Sequence, residues 1–287
     1  MRYTSFIMFM CLFLASCQKV AIEEGKEPAA DGQAVVTFNI DKLESFEAAH
    51  SADIASFCNR INVVAYKNGS RVKQINQSAG DDDFGNITMA LDTGNYSMVI
   101  LAHSFHSNPA LTNPQKITFG HDLGDTFLWT GECRFTSDKV VPVSMQRVVG
   151  LFRLVTTDSI PSNVASVRFY YTGGSSSLDA TTRLGCVASR QTSTFTVTED
   201  MKSRTATFDA YSFPKSEDGS LLNISVTAHD KNNDVIATKQ FTNIPVRRNQ
   251  ISLYRGKLFS GGDVVGEGNV NIHLTTDDEW TTVEYDF

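Results

Sequence analysis

The chain has 287 residues, of which 41% are hydrophobic and 20% charged, with 25 basic and 32 acidic residues giving a formal net charge of −7. The length fits one large β domain or two of ordinary size. An acidic balance without basic clusters argues against nucleic acid and against electrostatic docking on anionic lipid.

The first seventeen residues, MRYTSFIMFMCLFLASC, have a positive start at Arg2 and an apolar run from Phe6 to Ala15. That run is too short to span a bilayer as a stable helix, and Ala15 and Ser16 are the small residues a signal peptidase needs before its cut. The ending Leu14 to Cys17 resembles the bacterial lipobox. The resemblance implies that residues 1–16 are removed and that Cys17 becomes an acylated first residue, tied to a membrane outside the cytoplasm. Each buried acyl methylene contributes about 0.8 kcal/mol, so two or more chains hold a protein stably where one does not.

Residues 17–32 are polar, acidic and contain Gly and Pro, which reads as an extended tether. Strands follow. Ala34, Val36, Phe38 and Ile40 alternate with polar neighbours at the period-two spacing of a half-buried strand. Residues 43–57 break that period and predict a short helix facing inward through Leu43, Phe46, Ile54 and Phe57. Ile61, Val63 and Ala65 resume the strand, and Lys67-Asn68-Gly69 is a turn because Asn and Gly tolerate positive φ. Ile87-Met89-Leu91 and Tyr96-Met98-Ile100 flank a second turn at Asp92 to Asn95. Residues 104–118 read as a long polar loop, and Phe127-Trp129 and Val141-Val143-Met145 close the first half.

Arg147 to Gly150 is a seam. Beyond it the alternation restarts at Leu151-Arg153-Val155 and Val167-Phe169-Tyr171. Gly173 to Ser177 reads as a flexible loop, and Asp230 to Asp234 as a hairpin turn. Further strands are expected around Phe195, Phe208, Ile224, Ala237, Leu253 and Ile272, and at Val283-Tyr285-Phe287. Roughly six to eight short strands in each half, with turns about every ten residues, indicate an all-β chain of two tandem β-sandwiches. The boundaries are 33–146 and 147–287.

Motifs for chemistry are missing. His103 and His106 form an H-x-x-H with only His121 as a nearby third ligand, in a polar loop that reads as solvated. Asp81 to Asp83 is a solvated acidic loop. Asp230-x-Asn232-x-Asp234 mimics the start of a calcium loop but has Phe241 where the twelfth-position glutamate belongs. No nucleophile elbow or zinc-protease motif occurs. The expectation is a non-enzyme with no catalytic residue, no metal, no cofactor and no small-molecule substrate. After Cys17, the thiols at Cys58, Cys133 and Cys186 read as buried small hydrophobes, with a Cys58–Cys133 bridge open.

The order of segments resembles the FimB/Mfa2-type fimbrial anchoring subunits of Bacteroidales, within the fimbrillin group. The resemblance is carried by the lipobox cysteine with its acidic tether, RINVVAYKNGSRV (Arg60 to Val72) followed by ITMALDTGNYSMVILAH (Ile87 to His103), the mid-chain VSMQRVVGLFRLV (Val143 to Val155), and the late NIPVRRNQISLYRGKLF (Asn243 to Phe259). It implies two transthyretin-like sandwiches in an outer-membrane lipoprotein of a surface fimbria, whose partner is a stalk subunit. Stalk fimbrillins exchange strands after cleavage at an arginine. Residues 41–59 hold Lys42 but no arginine before Arg60, which departs from the stalk pattern and fits an anchor. Glu23-Glu24, set late after Cys17, is an acidic pair of the kind found in surface-export signals.

The expected sites are Cys17 for lipidation and the terminal strand Val283, Tyr285, Phe287 for stalk docking by strand addition. Two alternatives stand beside the anchor. One is a tip or stalk fimbrillin. The other is a surface glycan-binding lipoprotein that uses Trp129, Trp280, Tyr170 or Tyr171 as stacking platforms, against core or edge packing for each.

Overall fold

Alternation of apolar and polar side chains sets the backbone almost throughout. A computed structural model of the protein describes residues 30–44, 49–50, 54–120, 123–260, 269–277 and 280–287. The first half carries β1 (Gln33–Glu44), β2 (Ala49–His50), β3 (Arg60–Lys67), β4 (Ser70–Ser78), β5 (Asn86–Asp92), β6 (Gly94–His103), β7 (Ile117–Thr118), β8 (Thr126–Phe135) and β9 (Lys139–Arg147). The second carries β10 (Gly150–Thr156), β11 (Ser166–Thr172), β12 (Ser177–Asp179), β13 (Leu184–Gly185), β14 (Gln191–Thr196) and β15 (Thr207–Ser212). It continues through β16 (Ser220–His229), β17 (Val235–Val246), β18 (Gln250–Gly256), β19 (Asn269–Asp277) and β20 (Trp280–Asp286). The all-β reading therefore holds.

In the first half one eight-stranded sheet runs β2-β1-β9-β8-β6-β3-β4, with β5 also paired to β1. Strand β1 lies parallel to β9 and antiparallel to β5, so its N–H and C=O groups are used on both edges. Its inward residues Ala34, Val36 and Phe38 join Ile61, Val63, Ile100, Phe127, Phe135 and Val143 in one buried core. Asn68 (φ 52°) and Gly69 (φ 76°) make the tight turn between β3 and β4, because two successive positive φ values match the strand twist.

The predicted helix over 43–57 is corrected. Strand β1 continues to Glu44, and Ala49–His50 folds back to pair with Leu43 and Glu44. Only Ile54–Ser56 is helical among the described residues there, as a single 3-10 turn whose Ile54 carbonyl accepts from the Phe57 and Cys58 N–H groups. Backbone pairing to an available strand outcompeted a weak amphipathic pattern.

The second half has two sheets, β15-β10-β18-β20-β19 and β14-β11-β16-β17. Phe152, Leu154, Phe169, Tyr171, Phe208, Ile224 and Phe241 fill the core shared by these strands. A third core joins the halves. Val64, Tyr66, Leu101, Phe105, Leu111, Ile117 and Leu128 from one side meet Leu178, Ala180 and Phe213 from the other, across Val148 and Val149. Strand β7 pairs with β12, so a small sheet also crosses between the halves.

Two expected loops are corrected by this joint. The segment 104–118 is not a solvated loop, since Phe105, Leu111 and Ile117 are buried and the Tyr66 hydroxyl donates to the Leu111 carbonyl at 2.7 Å. Gly173 to Ser177 is not a flexible loop either. Ser175, Ser176 and Ser177 are buried, and the Ser175 hydroxyl donates to the Ser177 carbonyl while accepting from the Ser177 and Val187 N–H groups. Gly173 (φ +102°) is obligatory there, because a Cβ would lie 2.1 Å from the Leu221 carbonyl oxygen.

Candidate functional site

The carboxy-terminal strand is held on both sides. Strand β20 runs parallel to β18, with Gln250 opposite Thr281, Ser252 opposite Val283 and Tyr254 opposite Tyr285. Its other edge pairs antiparallel with β19. Among the described residues, strand β19 reaches the sheet only through β20, so β19 and β20 form a hairpin that docks as a unit on the β18 edge.

Val283, Tyr285 and Phe287 share one face by strand parity, and Tyr285 and Phe287 on it pack against the second-half core. Tyr285 stacks on Tyr254 at 4.5 Å with 16° between ring planes, and Phe287 meets Phe241 edge-on at 4.9 Å. Such pairs add about 0.5–1.5 kcal/mol each beyond area burial. Gly256 makes room for the chain end, since a Cβ there would lie 2.3 Å from the Phe287 oxygen and 2.8 Å from its ring. The loop leaving β18 is pinned by Asp158, whose carboxylate accepts from the Leu258, Phe259 and Ser260 N–H groups at 2.7–2.9 Å and from the Ser260 hydroxyl. Burial alone would raise the Asp158 carboxyl, and these donors together hold it below its ordinary value.

The start of β20 reaches the joint between the halves. Arg147, at the end of β9, donates to both Asp125 oxygens at 2.8 and 2.9 Å and to the Asn249 side-chain oxygen at 2.7 Å. Its guanidinium lies 3.9 Å from the Trp280 ring centre and 4.6 Å from that of Phe127. Asn249 (φ 55°) donates its N–H to Val149 and accepts from the Thr281 N–H. Burial pushes the Asp125 carboxyl up, and the Arg147 charge and hydrogen bonds pull it part of the way back. Position 147 was read from sequence only as part of a seam. The signal for more was an arginine set directly before the apolar pair Val148-Val149 at the seam.

The family described as "Family of unknown function (DUF6562)" matches residues 28–287. The chain belongs to this family. No curated protein matches the sequence. Among solved structures the chain is similar to a candidate adhesin from Bacteroides ovatus, at 11% identity and a TM-score of 0.47, covering 91% of this chain and 97% of that one. It is similar to the fimbrial anchor protein Mfa2 from Porphyromonas gingivalis, at 16% identity and a TM-score of 0.40, covering 72% and 81%. A fimbrial assembly protein from Parabacteroides distasonis aligns at 12% identity and a TM-score of 0.39, covering 78% and 90%. These chains fall in the Bacteroidales fimbrial and adhesin group that the sequence resembles.

For this DUF6562 member the remaining expected positions are now placed. Cys17 lies outside the described residues. Cys58, Cys133 and Cys186 are free thiols, buried, half-buried and exposed in turn, so the Cys58–Cys133 bridge is not formed and Cys186 is no buried hydrophobe. His103 is not solvated: it is fully buried at the end of β6, with its Nε2 2.9 Å from Asn62 Oδ1. The Asn62 amide donates to Asn76 and Asn108, which makes Oδ1 the acceptor and puts the proton on Nε2. Burial, then the nearby Arg60 charge, lowers His103 to about 4, with the Phe105 backbone opposing. His121 lies outside the described residues, and no group of three metal-ligating side chains occurs among the described ones. Asp230 accepts from the Asn232 and Asp234 N–H groups, which makes the expected hairpin turn. Of the four aromatic platforms, Tyr171 is buried, Trp129 leans on Phe38 at 6.2 Å, and Trp280 is covered by Arg147. Tyr170 alone stands outward, 38% exposed.

Proposed function

We propose that this chain is an outer-membrane lipoprotein that anchors a surface fimbria and docks the first stalk subunit by β-strand addition. The lipobox at Leu14 to Cys17 supplies the anchor, and the tether 17–32 carries the lipid away from the fold. The two folded units are a sandwich over 33–146 and a second over 147–287, each of the transthyretin-like kind.

The observation that carries the docking half of this reading is the position of β20. It is a carboxy-terminal strand held in a parallel ladder by β18 and carrying its own flanking strand. Parallel pairing is slightly less stable per residue than antiparallel pairing, which favours release of the hairpin from β18. In the docked assembly Val283, Tyr285 and Phe287 seat in the stalk subunit's apolar groove, as Tyr285 seats here on Tyr254 and Phe287 on Phe241. The lack of an arginine between residues 41 and 59 supports an anchor over a stalk subunit. No catalysis is assigned.

Cys17→Ser tests the anchor. Fimbriae shed into the medium from cells that still make the protein support it. Fimbriae that stay as firmly attached as on unmodified cells refute it.

A further inference from the structure

The outer face of the sheet β14-β11-β16-β17 has a composition unlike the rest of the molecule. Its four strands contain 6, 7, 10 and 12 residues and not one aspartate or glutamate, in a chain that has 32. Strands disfavour carboxylates in general. Both other large sheets nevertheless carry them, at Asp41, Asp92 and Glu132 in one and Asp209, Glu284 and Asp286 in the other.

What this face does carry is set by the register. One row runs Thr192, Tyr170, Ser225, Gln240, and the next runs Thr194, Arg168, Thr227, Thr238. Arg168 and Tyr170 are exposed, and the exposed Arg190 precedes β14 with the same parity as Thr192. The Gln240 amide is held on the Ser225 hydroxyl at 2.8 Å. Leu221 and Val235 are exposed at strand ends, and Tyr170, 38% exposed, is the large exposed ring within the face, with the polar Thr192 and Ser225 on either side of it in its row.

We infer that this face binds an anionic polysaccharide, with Tyr170 as the stacking surface for a sugar ring and Arg168 and Arg190 as counter-charges for its carboxylates. The hydroxyl and amide rows match sugar hydroxyls. The missing carboxylates matter because the molecule as a whole is negative and would repel an acidic polymer elsewhere. The face lies on the sheet opposite β20 in the second half, so the inference stands apart from the anchoring role.

Titration of the purified protein with polygalacturonate oligosaccharides tests it. Saturable binding is expected, weakening as salt rises. Tyr170→Ala and Arg168→Gln should each weaken it by about tenfold. Arg134→Gln, an exposed charge on the first sheet, should leave it unchanged. The inference is overturned by any of four results: no binding at millimolar concentration, equal affinity for an uncharged galactan, wild-type binding by the Tyr170 variant, or an equal loss in the Arg134 variant.

Discussion

Arg147 ties the halves together, bonding Asp125 in the first and Asn249 in the second. Its charge is buried beside Asp125 and stacked against Trp280 and Phe127. Removing one partner of such a pair strands the other in a dry site, and this usually costs about 3–5 kcal/mol. Arg147→Met should therefore lower the urea midpoint strongly, and adding Asp125→Leu should recover most of the loss. A double variant as unstable as the single one would show that the arginine acts through packing on Trp280 rather than through charge. His103 gives a second residue-scale prediction. Its ordinary value of 6.5 falls to about 4 in the fold, so the neutral ring is the native form. The stability this form supplies is complete above pH 6.5 and is lost as pH falls toward 4, where the unfolded chain takes up the proton first. At about 1.36 kcal/mol per pKa unit the loss approaches about 3 kcal/mol. Unfolding measured across that window should slope less for His103→Gln than for the wild type. Equal slopes would remove His103 as the source.

At the scale of elements, the docked hairpin depends on how β18 is prolonged. Asp158 ties three successive N–H groups of the loop after β18, next to the exposed Lys257. Charged hydrogen bonds of this kind contribute about 1.5–3 kcal/mol. Asp158→Ala should speed tryptic cleavage after Lys257 several-fold while sites in β3 and β11 stay protected. Uniform acceleration would mean global destabilisation instead. Elements were legible in the sequence where alternation was strong, as at Ala34 to Phe38 or Val167 to Tyr171, and where Asn68-Gly69 named the turn type. Strand β4 was not, because SRVKQINQS is mostly polar and owes its conformation to the turn before it and to pairing with β3. The false helix over 43–57 has the same origin: pairing of Ala49–His50 with the end of β1 is a non-local contact that local periodicity does not encode.

For the whole molecule, the two-part pattern read from strand spacing is accompanied by a joint that spacing could not reveal. Val148 and Val149 are fully buried in it, and a ladder between β7 and β12 crosses it. Several of its residues come from segments read as loops, where single buried positions such as Phe105, Ile117 and Ser175 lack any period. The terminal site was legible as an alternating strand, yet its place between β18 and β19 was not, because a parallel partner leaves no mark in the strand's own sequence. The joint also touches the strand proposed to dock the stalk, through Trp280 on Arg147 and Thr281 on Asn249.

The most direct test of stalk docking by β20 is therefore to lock that strand in place. Leu253 and Glu284 face each other across the parallel ladder, away from the core face that carries Tyr285. Leu253→Cys with Glu284→Cys, in a Cys186→Ser background, should form a bridge under oxidation and hold the hairpin on β18. Oxidised cells should release their fimbriae into the medium, and a reductant should restore attachment. Locked cells that keep their fimbriae as firmly as unlocked ones would contradict docking through the carboxy-terminal strand.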